Sequence, residues 1–160
     1  MIVFINGSIN SGKSTIAKML VDKIGNCVNL ELDRFHEFLE WMPIGEVIPI
    51  NLKNAVSLIK NYLEMGFNIV VPYPLSQKNY DYLMENLKNL NTKILVFTLA
   101  PKIEKVLTNR GNRELNDLEI SRIKYHYEIG INNPSFGKII DNTNQTSEET
   151  LKIILNEIGL

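Results

Sequence analysis

The sequence predicts an α/β fold: a three-layer sandwich in which a parallel sheet is covered on both faces by helices. Three observations carry that expectation. Short apolar runs of strand character alternate with helical segments from one end to the other. A glycine-rich turn joins the first apolar run directly to the first helix. No internal repeat, low-complexity tract or linker divides the 160 residues, so residues 1–160 are read as one domain.

Taken in order, residues 2–5 are continuously apolar, as in a strand buried on both faces. Ile16, Leu20 and Ile24 recur at helical spacing, and Gly25 closes that helix. Residues 27–32 read as a second strand, with Cys27 as a small apolar residue inside it. A helical stretch follows over 34–41, and Met42-Pro43-Ile44-Gly45 breaks it. Leu52, Ala55, Val56, Ile59 and Leu63 mark one face of a long helix ended by Gly66. Residues 67–71 form a third strand, stopped by Pro72 and Pro74.

Tyr80, Leu83, Met84 and Leu87 mark the next helix, and 93–99 a fourth strand. Pro101 suits the first turn of a helix containing Ile103, Val106 and Leu107. The polar segment from residue 109 is a loop, and another helix starts near Asp117. A short last strand spans 138–140. Thr146 with Glu149 forms a capping box for a terminal helix whose apolar face is Leu151, Ile154, Leu155 and Ile158.

Gly7-Ser8-Ile9-Asn10-Ser11-Gly12-Lys13-Ser14-Thr15 is a complete phosphate-binding loop, set between a strand and a helix as that motif requires. Gly7 and Gly12 permit backbone angles that side chains forbid. Backbone N–H groups, those of Asn10 and Ser11 included, then converge on phosphate oxygens at the positive end of the helix. Lys13 is placed to contact the β- and γ-phosphates, and the Ser14 hydroxyl to ligate Mg2+, with Thr15 beside it. The alternative is a structural turn that matches by chance; the strand before and helix after argue against it. No Asn-Lys-x-Asp motif is present, so ATP rather than GTP is the expected nucleotide.

Phosphoryl transfer needs positioning, charge neutralisation and a group that takes the acceptor's proton. Asp33 ends the second strand, at the sheet edge where ligands sit in α/β folds, so it is the candidate base. It is also a candidate for supporting Mg2+, and it is in the right place to cap the next helix. Glu31, two residues earlier, shares its strand face, whether as substrate contact or solvated side chain. His36 and Trp41 are candidate acceptor contacts, although such residues are commonly structural. Arg110 and Arg113 lie in a polar loop, about 109–117, where forked guanidinium groups would clamp phosphates as a lid. Arg122, on the next helix, is read as a third cation of the site or, more commonly for such a residue, an ordinary surface cation. Asn142 and Thr143, after the last strand, either present backbone groups to adenine or form a plain turn.

Several classes are set aside. The net charge of −1 carries no strong attraction to nucleic acid or to acidic membrane. A single cysteine excludes an internal disulfide, and no zinc-ligand spacing occurs. No apolar stretch is long enough for a membrane span, so a cytoplasmic location is expected.

These residues resemble small P-loop kinases, in particular the chloramphenicol phosphotransferase-like branch, with shikimate and gluconate kinases as wider relatives. The likeness rests on residues 7–15, on Asp33 followed by a short helix and Met42-Pro43, on Arg110-Gly111-Asn112-Arg113, and on Ile140-Asp141-Asn142-Thr143. Glu31-Leu32-Asp33 also resembles the paired acidic positions of shikimate kinases. It implies a P-loop NTPase fold with a five-stranded sheet in the order 2-3-1-4-5. It also implies an acceptor-binding region over about 34–65, and transfer of the ATP γ-phosphate to a hydroxyl on a small molecule with Mg2+. One departure stands out. Some relatives carry acidic residues after the third strand, whereas this chain has Val70-Val71-Pro72-Tyr73-Pro74. Two other readings stay open: a nucleoside, nucleotide or polynucleotide 5′-hydroxyl kinase, and a nucleotide-binding regulator with little catalysis.

Overall fold

The computed structural model describes residues 1–108 and 114–160. Five parallel strands form one sheet: β1 (Ile2–Gly7), β2 (Cys27–Asn29), β3 (Asn68–Pro72), β4 (Ile94–Leu99) and β5 (Lys138–Ile140). Their order is β2-β3-β1-β4-β5, as the family resemblance implied. The helices are α1 (Lys13–Ile24), α2 (Ile44–Glu64), α3 (Gln77–Leu87), α4 (Ile103–Val106), α5 (Asp117–Glu128) and α6 (Ser147–Ile158), with a 3-10 helix over Leu32–Leu39.

β1 is central and buried along its whole length, which explains its unbroken apolar run. Its alternate residues feed two cores. Ile2 and Phe4 join Ile69 and Val71 of β3 against Leu52, Ala55 and Ile59 of α2 and Leu83 and Leu87 of α3. Val3 and Ile5 join Val70, Phe97 and Leu99 against Ile16, Ala17 and Leu20 of α1 and Leu151 and Ile154 of α6. The capping box of α6 forms as expected, with Thr146 Oγ1 accepting from the Glu149 N–H and Glu149 accepting from the Thr146 N–H. A second box, Asn116 with Glu119, starts α5.

The structure moves several element boundaries. β2 covers Cys27–Asn29, not residues 27–32, and the Leu32–Leu39 segment is a 3-10 helix rather than an α-helix over 34–41. β2 is an edge strand paired only with β3, and its last pair, Asn29 with Val70, comes two residues before β3 ends at Pro72. Leu32 then buries itself beneath the 3-10 turn. The Pro43 break is sharper than expected: α2 begins immediately after it, at Ile44. β3 runs through Pro72 instead of stopping before it. The Tyr73 N–H bonds to Ile5 O on the β1 side, so the position of Pro72's missing N–H faces the other side, beyond the last β2 pair. Pro101 lies outside the short helix α4, which has Lys102 at its N-cap.

Gly137, which leads into β5, has φ of 71° and lies so close to β4 that a Cβ would sit 2.6 Å from Val96 O. Gly66 has φ of 84° with open space around it. Gly66→Ala therefore carries only the backbone penalty, roughly 1 kcal/mol. Gly137→Ala adds a steric clash and is expected to lose about 2 kcal/mol or more in urea denaturation. Equal losses in the two variants would show that the β4 contact yields freely.

Candidate functional site

β1, β3 and β2 are neighbours, so the segments leaving their C-terminal ends converge. The phosphate loop follows β1, Tyr73 follows β3, and Asp33 follows β2. α5 closes the site from the other side.

The loop is shaped by left-handed backbone at Asn10 (φ 62°) and Gly12 (φ 100°). At Gly7 a Cβ would lie 2.6 Å from both Leu99 O and Ser11 Oγ, so only glycine fits there. The Ser11 N–H bonds back to Ser8 O at 3.3 Å. Lys13 is 9% exposed, and its Nζ donates to the same Ser8 carbonyl at 2.7 Å. The first N–H groups of α1 have no intrahelical acceptors and form an anion site.

Asn142 Nδ2 holds the Ser11 carbonyl at 3.0 Å, so this residue braces the loop with its side chain. Its Oδ1 and the Ser11 Oγ are buried without a partner. The Ser11 hydroxyl can donate, so its open bond fits an anion such as a triphosphate; the Asn142 amide oxygen accepts only and has no such use. Thr143 turns back on its own segment: its N–H and hydroxyl both donate to Asp141, and its Oγ1 accepts from the Lys102 N–H at 2.9 Å. Those Thr143 bonds hold the Asp141 carboxyl below its ordinary range. The Asn10 amide donates to the carbonyls of Val106 (2.8 Å) and Thr108 (3.0 Å), which fastens the loop to the end of α4. Ser14 and Thr15 are exposed on the first turn of α1.

Asp33 opens onto the cleft from the 3-10 helix. The surrounding protein desolvates it, which raises its carboxyl above the ordinary value. Lys13 and Arg122 pull the other way, Glu31 adds to the rise, and His36 opposes it. Asp33 thus lies near enough to the loop lysine to feel its charge. Glu31 is committed elsewhere, accepting from Asn29 Nδ2 at 3.1 Å and pairing with Arg34 Nε at 2.9 Å. On its outer side lies a cavity of about 380 Å3, lined in part by Lys18, Arg34, Phe35 and Phe38. His36 is half-buried one 3-10 turn after Asp33, and its Nδ1 is buried without a partner. Trp41 and Phe38 are each 78% exposed.

Three residues of the site were missed or undervalued in the sequence. Arg122 is half-buried on α5, not an ordinary surface cation; its charge reaches Asp33, Tyr73 and His126. Tyr73, just past β3, is 6% exposed, and burial, with Asp33 nearby, pushes its phenol up to about 12. His126 is 8% exposed and its Nδ1 lies 3.2 Å from Ser8 Oγ. Burial, with Lys13 and Arg122 adding to it, lowers the imidazole to about 4. Only the helical spacing of Arg122 and His126, one turn apart on α5, could have hinted at a shared face. Arg110 and Arg113 lie outside the described residues. Among the described residues no group of three or more His, Cys, Asp or Glu side chains could hold a metal. No helix among them is long and apolar enough to cross a membrane.

The strand order and the glycine loop define a P-loop protein of the kinase type, and solved structures agree. The fold is shared with a sugar kinase from Janibacter sp. HTCC2649 (TM-score 0.76, 17% identity, 98% of this chain and 93% of that one). It is shared with the Deinococcus radiodurans tunicamycin resistance protein (0.67, 20%, 99% and 95%). It is shared too with shikimate kinase from Aquifex aeolicus (0.60, 16%, 99% and 96%). By sequence, the chain belongs to the chloramphenicol phosphotransferase-like protein family, which it matches over residues 1–158. Kinase-family membership makes it a phosphotransferase by class. No curated protein matches it in sequence.

The imidazole of His126 gives the site a pH signature. Its folded value near 4 lies below the ordinary 6.5, so between those values the unfolded chain binds more protons than the folded one. Stability is therefore expected to fall as pH drops from about 6.5 to about 4, by roughly 3 kcal/mol in total. Asp33 has the opposite sign: its raised carboxyl favours the fold as pH falls through its folded value. Urea denaturation across that window should show the loss in the wild type and a flatter profile in His126→Phe. The same slope in both would remove His126 as its source.

Proposed function

We propose that the chain transfers the γ-phosphate of ATP to a hydroxyl group of a small molecule, with Mg2+. The observation that supports this reading is that Asp33 lies near enough to the phosphate-loop lysine for Lys13 to favour its ionised form. A carboxylate there can take the proton of an acceptor hydroxyl as that oxygen attacks phosphorus. Its raised pKa strengthens it as a base while Lys13 and Arg122 keep it ionised.

Lys13 would leave the Ser8 carbonyl for the β- and γ-phosphate oxygens. The N–H groups of Gly12, Lys13 and Ser14 would hold the triphosphate at the start of α1. Ser14 would hold Mg2+, which commonly keeps several waters and phosphate oxygens among its ligands, with Asp33 acting through water. Bound there, the ion would neutralise charge developing on the phosphates. Arg122 supplies a second fixed cation, and Arg110 and Arg113 are proposed as clamps from their place in the sequence. Asn142 supports the loop from behind through Ser11. Work of this kind belongs where ATP is plentiful, in the cytoplasm.

The acceptor lies on the side of the 3-10 helix and α2, where His36, Phe38 and Trp41 are set. The family's name and the Janibacter sugar kinase make hydroxylated antibiotics and sugars the first compounds to screen, followed by nucleosides. A second reading, a nucleotide-binding regulator, draws on Tyr73, which stands where a metal-supporting carboxylate would be. It expects ATP binding without transfer.

Lys13→Ala is expected to weaken ATP binding by roughly two orders of magnitude in calorimetric titration. Wild-type affinity in that variant would sink the account. Asp33→Asn should keep ATP affinity but lower acceptor-dependent ADP release by about 10²–10⁴-fold. Unchanged release in Asp33→Asn rules out its role as the base, and no acceptor-stimulated release in any screen favours the regulator.

A further inference from the structure

We propose that His126 is a positioning residue of the phosphate loop. Its Nδ1 fastens α5 to the Ser8 hydroxyl, which sets both the Ser8 carbonyl on which Lys13 rests and the helix face that carries Arg122. The inference rests on the ATP-binding reading above and assigns a residue outside the loop to it.

Ser8 is fully buried, and it is the residue on which the loop's internal bonds meet. Its carbonyl accepts from Lys13 Nζ at 2.7 Å and from the Ser11 N–H at 3.3 Å. Its hydroxyl reaches across to His126 Nδ1 at 3.2 Å. When phosphate oxygens draw Lys13 away, the carbonyl loses its strongest donor. The contact to His126 then becomes the principal tie on residue 8. A buried hydroxyl left without that partner would turn to find another, and the backbone donors of the loop would turn with it.

The partner has to be uncharged. A cationic ring would stand beside Lys13 and Arg122 and repel both. Burial and those same two cations keep the imidazole neutral, so it bonds to Ser8 as a donor or an acceptor according to tautomer. Arg122 precedes His126 by one turn and shares its helix face. Anchoring the ring therefore also aims the guanidinium toward the cleft that holds Asp33. On the loop's other side the Asn10 amide binds the Val106 and Thr108 carbonyls. The loop is thus tied to chain on both sides of residues 109–113, by Asn10 before them and by Ser8 after them.

The test compares ATP with adenosine, which shares the base and sugar but lacks the phosphates. Dissociation constants are measured by calorimetry for wild type, His126→Phe, His126→Asn, Ser8→Ala and the Phe/Ala double variant, each checked for folding by its melting curve. His126→Phe should weaken ATP about tenfold and leave adenosine unchanged. His126→Asn, which restores a polar partner near the place of Nδ1, should recover most of the loss. Ser8→Ala should lose a similar factor, and the double variant no more than either alone.

A merely structural histidine would lower the melting temperature while folded His126→Phe bound ATP as the wild type does; that result overturns the proposal. Equal losses for ATP and adenosine overturn it too, because the whole site would then have changed. If His126→Phe does not fold, Ser8→Ala decides alone, and wild-type ATP affinity in it is fatal. Wild-type protein that binds no ATP would bring down the functional reading itself, a failure distinct from these.

Discussion

The site depends on one buried amide. Asn6 is fully buried in β1, next to the glycine that opens the phosphate loop. Its Oδ1 accepts the Leu75 N–H at 2.7 Å, just past the turn that carries Tyr73. Its Nδ2 donates to Thr98 Oγ1 in β4 at 3.0 Å and to the Ile131 carbonyl beyond α5 at 3.1 Å. Three segments distant in sequence are thereby held at the end of the central strand. A buried amide left unpaired costs more than a formed bond returns, so the arrangement is specified rather than merely favoured. The loop, the exit of β3 and the root of α5 keep a fixed relation because the same side chain needs all of them.

On that frame the electrostatics follow from burial and neighbours. Lys13 and Arg122 are the cations that act on this cleft, and Asp33 is the carboxylate they act on. Desolvation makes Asp33 a stronger base, and the cations limit how far that goes. His126 lies between the same cations and is driven the other way, to a neutral ring. Desolvation thus favours the neutral form of both groups, while the cations favour the ionised carboxylate on one wall and the uncharged ring on the other. Glu31 contributes at a distance only, since Asn29 and Arg34 occupy its oxygens.

What was legible in the sequence follows the same division between local and distant causes. The phosphate loop, the capping box at Thr146 and the strand–helix alternation depend on neighbours in the chain, and all were readable. Asp33 was expected at the end of the second strand, but β2 stops at Asn29 and Asp33 lies in the 3-10 helix that follows, still beyond the C-terminal edge of the sheet. The length of β2 was not readable, since an edge strand has pairing on one side only and its neighbours in sequence do not say where that pairing stops. Asn6 looked like the last residue of a strand, because its three partners lie 69, 92 and 125 residues on. Arg122 and His126 sit on a helix whose exposed face is also polar. Their direction was set by how α5 docks, which spacing alone does not specify.

The end of β3 shows how the chain manages without a carboxylate there. Pro72 and Pro74 flank Tyr73, and the Tyr73 N–H is bound to Ile5 O at 3.1 Å, so the backbone at this point is stiff and held to β1. A second carboxylate at this position would face Asp33 and raise the cost of ionising both. The phenol adds no charge, because burial and Asp33 keep it protonated well above neutral pH. Asp33 therefore shares Lys13 and Arg122 with no other carboxylate at the end of β3. A neutral side chain here also leaves the positive field on the phosphate side less compensated than a carboxylate would, which favours an anionic ligand in the loop. A single neutral side chain thus leaves both the Asp33 carboxyl and the loop's positive charge without a competing carboxylate at the end of β3.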